Sequence, residues 1–179
     1  MLIKNNENHY GIVAIFFHWI IAILIIGLII LGLYMVGLPI SLQKLKFYDW
    51  HKEFGILVLM LFLLRIVWRL INVVPSLAEL PAWERVAARS VHYAFYFCLF
   101  AIPLTGWMMS SAAGLPVGFF GLFVLPDLVS PDENLRLFLI AVHKWLAYFL
   151  IALLCLHIAA SFKHLLINKD DILRRILWP

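Results

Sequence analysis

The chain has 179 residues, of which 65% are hydrophobic and 13% charged, and its formal net charge is +4. Soluble domains carry about 25% charged residues, and a core this apolar would need a polar shell that the composition does not supply, so a soluble globular domain is excluded. A mean hydropathy of +0.99 makes lipid the solvent. Cys98 and Cys155 both fall inside apolar runs, where a free thiol acts as a small hydrophobe, and no cysteine cluster offers a zinc or iron–sulfur site.

In chain order, the apolar stretch after Lys4 is too long for the core of a cleavable signal peptide and has no small-residue cleavage site, so it is expected to remain. Crossing a hydrocarbon layer of about 30 Å takes about 20 apolar residues. Four segments meet that length, at 12–36, 48–72, 86–110 and 136–165. The expected fold is therefore all-α: an integral membrane four-helix bundle, with residues 1–179 as a single domain. Helix breakers place the connections at GLPIS (37–41), at VVPSLAELPAW (73–83), and at AAGLPVGFFG and VSPDEN between 112 and 134. Ser130, ahead of Pro131 and three residues before Glu133, is the expected N-cap of the fourth helix. Pro103 predicts a kink in the third. Gly32, Gly55 and Gly106 lie within or near span interiors, where the absence of a side chain lets a macrocycle or a neighbouring helix approach, helix packing being the expected use. Trp19, Trp50, Trp83, Trp107, Trp145 and Trp178 fall mostly at span ends, as interfacial belts do.

An even number of spans puts both termini on one side. That side collects nine of the lysines and arginines (Lys4, Arg65, Arg69, Arg85, Arg89, Lys163, Lys169, Arg174, Arg175), against five on the other (Lys44, Lys46, Lys52, Arg136, Lys144). The positive-inside rule then predicts cytoplasmic termini. The acidic residues divide evenly, so the +4 charge belongs to the inner side and topology accounts for the basic pI without nucleic acid.

Six of the seven histidines, His18, His51, His92, His143, His157 and His164, lie in or at the edge of the spans, and only His9 reads as a loop residue. Ionisable groups inside membrane helices are costly and face the bundle interior, which makes each a functional candidate. His143 and His157 are fourteen residues apart, which on a helix is about 40° short of four turns and about 21 Å of rise. They share a face, too far apart for one metal ion but suited to two flat cofactors at different depths. Iron in a haem, closed by two neutral imidazoles, fits that pattern and favours electron transfer over oxygen binding. By depth, His51 pairs with His143 near the outer side and His18 with His157 near the inner. His92, at the inner depth on the third helix, is an alternative partner for His157. His164 lies two turns beyond His157, about 10 Å closer to the inner surface, where an imidazole could serve a quinone that takes up protons on reduction or simply reach the lipid headgroups.

In order and spacing, FHWI (17–20), WHKEFGI and LRIVWR in the second span, SVHYAFYFCLFAIPLTGWMM in the third, HKWLAYFLIALLCLHIAASFKH in the fourth and the tail KDDILRRILWP resemble the bacterial cytochrome b561 family. These are four-helix dihaem membrane proteins related in fold to hydrogenase cytochrome b subunits. The resemblance runs nearly end to end. It implies two haems b, one held by His18 and His157 and the other by His51 and His143, and argues against His92 as a ligand. It further implies a bacterial inner-membrane location and, by likeness to a superoxide oxidase in the family, superoxide as outer donor and ubiquinone as inner acceptor near His92 and His164. Leu165 departs from the pattern, since some relatives carry a second histidine there. Lys52 and Lys144 directly follow the outer ligands and are candidates for steering superoxide, against the reading that span-end lysines are interfacial anchors. The alternative to an oxidase is an anchor subunit carrying electrons for a partner redox protein such as a dehydrogenase or hydrogenase.

Overall fold

A computed structural model describes residues 2–76 and 80–177. Its body is four long helices: α1 (Ile12–Val36), α2 (Leu42–Leu70), α3 (Ala82–Ala112) and α4 (Glu133–Lys163). α1 packs on α2, α2 on α3 and α3 on α4. At 1.5 Å per residue they run about 37 to 46 Å, enough to cross a bilayer. Apart from His18, α1 is apolar on both its buried and its exposed sides: Ile15, Ile21 and Met35 are buried, while Phe16, Ile23, Ile30 and Leu33 are exposed. That pattern belongs to a helix solvated by lipid.

By length and composition three helices qualify as membrane spans (Ile12–Val36, Ala82–Ala112 and Glu133–Asn168), not the four expected. α2 falls short because its outer end carries Lys44, Lys46, Asp49, Lys52 and Glu53 and its inner end Arg65 and Arg69, leaving an apolar run only between them. Charge at both ends, not a break in the helix, accounts for the difference. α2 also starts earlier than expected, because Ser41 accepts a hydrogen bond from the Lys44 N–H at 3.2 Å and caps it.

The expected cap at Ser130 is corrected to Asp132, whose Oδ1 accepts the Leu135 N–H at 2.9 Å. Pro131 follows Ser130 directly, and the helix begins only at Glu133. Pro103 lies inside α3, which continues past it to Ala112. α4 runs on into a π-turn, His164–Asn168, closed by Lys169 in the left-handed region (φ +53°), and a short α5 (Arg174–Leu177) follows.

The all-α expectation needs one addition. The α3–α4 connection folds into an antiparallel hairpin, β1 (Val117–Phe119) with β2 (Phe123–Leu125), in register Val117 with Leu125. Phe120 and Gly121 both have positive φ at the turn, as a tight hairpin requires. A bulky residue resists that conformation, and Phe120 is held in it by its N–H on Glu53 Oε1 (3.0 Å) and its ring against Phe54.

The bundle has two distinguishable ends. At one, called inner, the Trp19 indole donates to the Ile176 carbonyl, Asn5 to the Val73 carbonyl, the Ser76 N–H to the Glu7 carbonyl and the Arg175 guanidinium to the Ser76 carbonyl, so both terminal segments meet the α2–α3 connection. The other, outer end holds the α1–α2 turn and the hairpin. Between them sits a packed apolar layer: Ile21, Val58, Leu59, Phe62 and Leu99 in one cluster, Cys98, Leu150 and Leu153 in another.

Candidate functional site

The histidines gather in two tiers, above and below that apolar layer. At the outer tier the His51 and His143 ring centres are 6.3 Å apart at an interplanar angle of 71°. At the inner tier His18 and His157 stand at the same 6.3 Å, at 58°. His92 is also in the inner tier, edge-on to His157 at 5.9 Å, with Phe95 on His157 at 5.4 Å. Depth and ring distance therefore leave His157 two imidazole neighbours.

A spacing seen in α4 recurs in every helix. Fourteen residues separate His18 from Gly32, His51 from Arg65, His92 from Gly106 and His143 from His157, so each helix gives one residue to each tier on nearly the same face. The outer tier is two histidines and two glycines; the inner is three histidines and an arginine. The expectation that these glycines serve general helix packing is corrected for two of them. A Cβ at Gly32 would lie 3.2 Å from His51 Cε1, and one at Gly106 would lie 3.3 Å from His143 Cε1. Each glycine makes room for the imidazole on the neighbouring helix. Gly55 has nothing within 4 Å of the corresponding position.

The outer imidazoles are held unequally. His143 Nδ1 lies 3.0 Å from the Ile102 carbonyl, which can only accept, so Nδ1 carries the proton and Nε2 keeps its lone pair. Thr105 Oγ1 donates to the same carbonyl at 2.9 Å and sits 3.2 Å from His143 Nδ1 as a second acceptor. His51 Nδ1 is buried with no hydrogen-bond partner. In the inner tier Arg65 and His92 take the backing positions. Arg65 Nη2 is 3.4 Å from His18 Nδ1.

The candidate quinone residues are on different levels. His92 is level with His157, whereas His164 lies near the start of α3, its Nε2 3.8 Å from Glu84 Oε2 and its Nδ1 2.6 Å from Asp170 Oδ2. Lys163 pairs with Glu84 Oε1 at 2.6 Å, and the Glu84 Oε2 atom is buried without a hydrogen bond. Burial pushes the Asp170 carboxyl up, but hydrogen bonds from His164 and the Ile172 N–H outweigh it and hold the group below its usual value. At the outer end Lys52 is tied to Asp49 (3.0 Å) and to the Pro116 carbonyl (3.1 Å), and Arg136 to Glu133. Lys144 lies over the Tyr148 ring, Lys46 over Trp50, and Lys44 donates to the Leu38 carbonyl. Trp178 lies outside the described residues.

The family model for prokaryotic cytochrome b561 matches residues 9–179. The chain belongs to the prokaryotic cytochrome b561 family. Among relatives, cytochrome b561 homolog 2 of Escherichia coli K12 is 37% identical across 99% of this chain and 95% of its own length. Cytochrome b561 homolog 1 of the same organism is 29% identical across 95% and 97%. Membership makes this a membrane cytochrome with an electron-transfer role, and implies that it binds haem b.

The residues of this cytochrome fit such a group. Two imidazoles on opposite sides of one metal each place a nitrogen about 2 Å from it, which puts the ring centres about 6 Å apart. Both the His51–His143 and the His18–His157 pairs have that separation. The glycine clearances behind His51 and His143, and a His143 tautomer that leaves Nε2 free, are further features an axial ligand needs.

Proposed function

We propose that this cytochrome carries two haems b, one between His51 and His143 and one between His18 and His157, and moves electrons from a donor at the outer end to a quinone at the inner end. The observation that carries this is the pair of 6.3 Å imidazole couples, stacked fourteen residues apart on α4. Bound there, haem b supplies a one-electron ferric–ferrous couple. Two histidines would hold each haem, a ligand set that favours electron transfer over oxygen binding. In this reading α2 also crosses the membrane, the termini are cytoplasmic, and the membrane is the bacterial inner membrane. The concentration of basic residues at the end where the termini meet supports that orientation.

Superoxide is the donor and ubiquinone the acceptor in this proposal. Two superoxide anions, each giving up one electron and leaving as O₂, reduce one ubiquinone, which takes two protons to become quinol. His92 belongs to the inner tier, and His164 lies beyond it toward the inner end, linked by Asp170 to the tail. Haem content and reduced-minus-oxidised spectra of purified protein test the first half: two haems b per chain are expected. Superoxide added with excess ubiquinone tests the second. Haem reduction and quinol formation no faster than without protein would refute the oxidase.

A second reading is favoured by the charges at the outer end. Lys52 and Arg136 are neutralised by Asp49 and Glu133, so the field that would gather a small anion is weak. A cytochrome b subunit taking electrons from a docked redox protein needs no such field. Purification at native expression level separates the two, because a stoichiometric redox partner supports the subunit and its absence the oxidase.

A further inference from the structure

We propose that Arg65 and Trp68 form a carboxylate receptor in the inner tier, and that its ligand is a propionate of the haem held by His18 and His157. The proposal rests on the dihaem reading above. A guanidinium has five N–H donors and accepts nothing. The Arg65 contact with His18 Nδ1, at 3.4 Å, therefore requires a lone pair on Nδ1 and the proton on Nε2. Ligation through Nε2 requires the reverse: Nε2 gives its lone pair to iron and Nδ1 carries the proton. Once His18 is a ligand, Arg65 faces an N–H and must turn to another acceptor.

Among the described residues the neighbours of Arg65 include the neutral phenols of Tyr96 and Tyr10 but no anion. Among the described residues no carboxylate lies within ion-pair distance of Arg65, and α2 has no acidic residue after Glu53. The guanidinium is part-buried and lies 3.4 Å from His18 Nδ1, so it is set inside the tier and not at its rim. A charge so placed calls for a hydrogen-bonded counter-charge. Three residues on, over the same face of α2, the Trp68 indole N–H is shut away from solvent with no partner. Arg69, the other cation at this end of α2, already lies over the Tyr96 ring at 5.7 Å. Two donors, one charged and next to His18, the other neutral and three residues along the same helix, suit an anionic planar acceptor. A haem carries two such groups. A quinone carbonyl is neutral and would leave the charge uncompensated.

The test uses the purified holoprotein with haem ¹³C-labelled at the propionate carboxyls, read by redox-difference infrared spectroscopy together with a redox titration of both haems. The inner haem is identified by its loss in His157→Ala. Arg65→Gln is expected to move the labelled carboxylate band and to disfavour reduction of the inner haem at least tenfold, about 59 mV for one electron, leaving the outer haem in place. Arg65→Lys keeps the charge and should restore more than half of that shift. Trp68→Phe should move the band while changing the reduction equilibrium less than threefold. A lowered potential with an unmoved band would overturn the proposal in favour of Arg65 acting on His18 alone. An unmoved band and an unmoved potential would also overturn it. Should Arg65→Gln not fold, band shifts in Arg65→Lys and Trp68→Phe decide. Wild-type protein without haem would instead bring down the dihaem reading itself.

Discussion

Placing a side chain at Gly106 tests whether the tier is built around His143. An alanine Cβ there would lie 3.3 Å from His143 Cε1 and 3.5 Å from Nδ1. The imidazole has to yield by a few tenths of an ångström, which stretches its 3.0 Å bond to the Ile102 carbonyl beyond good hydrogen-bond length. Losing part of a bond worth about 1 kcal/mol is offset by the gain of about 0.8–1 kcal/mol when alanine replaces glycine in a helix. Gly106→Ala should therefore leave the melting temperature almost unchanged and retain two haems, while altering the electron paramagnetic resonance signal of the outer one as the ring tilts. Gly106→Val adds two methyl groups on the same side, and overpacking of about 1–3 kcal/mol falls directly on the ligand. One haem per chain is expected, the remaining one with the inner spectrum. Gly55→Val is the internal control, because nothing lies within 4 Å of its Cβ position, and should keep both haems. Two unaltered haems in Gly106→Val would refute the reasoning.

The remaining predictions concern other links. His51→Ala and His143→Ala should remove one and the same haem, and His18→Ala and His157→Ala the other, by spectrum and stoichiometry. His92→Ala should keep both and slow quinol formation; loss of a haem would make His92 the partner of His157. Asp132→Ala removes the side-chain cap on the Leu135 N–H and should cost about 1 kcal/mol in thermal or denaturant unfolding. Asp170 has a depressed carboxyl, so the stability its contact with His164 lends the tail is present above the ordinary aspartate value and lost as pH falls through the lowered one. Amide exchange of residues 170–177 should accelerate across that acid range in the wild type, and show no such step in Asp170→Asn.

The bulk of the bundle was legible because lipid demands it: α1 follows its apolar run residue for residue, and the breakers at 37–41 end it where expected. That the histidines gather at two depths was legible from helix rise, but at the inner depth helix rise left both His18 and His92 as partners for His157, and only the family resemblance chose between them. The role of the glycines was not, although the signal was present: the fourteen-residue spacing taken from His143 and His157 also links His18 to Gly32 and His92 to Gly106. Glycine has no side chain to announce its function, and only the neighbouring ring shows what it makes room for. Arg65 was read as an inner-side charge for the same reason, its place opposite His18 being a property of packing across helices. The hairpin was missed because its strands are three residues each, and its turn needs Phe120 in a conformation its type disfavours, supplied by Glu53 from another element.

The same two backing sets bear on the direction of electron flow. His143 donates its Nδ1 proton to a backbone carbonyl with Thr105 Oγ1 alongside, which makes the imidazole more basic and, in the proposed reading, would favour the oxidised state of a haem iron that it held. Among the described residues the inner tier has no such carbonyl at His18 and holds instead a cation, Arg65, close by. A fixed positive charge opposes the extra charge of the oxidised state and so favours reduction. On the proposed dihaem reading both effects would order the potentials alike, lower at the outer tier and higher at the inner, so that electrons entering beneath the hairpin would run downhill toward the end where the termini meet. A redox titration of the wild type should resolve two one-electron waves, and His157→Ala should abolish the higher. If the lower wave disappears instead, the backing groups do not set the order, and transfer from outer to inner end would have to be driven by the donor and the quinone pool.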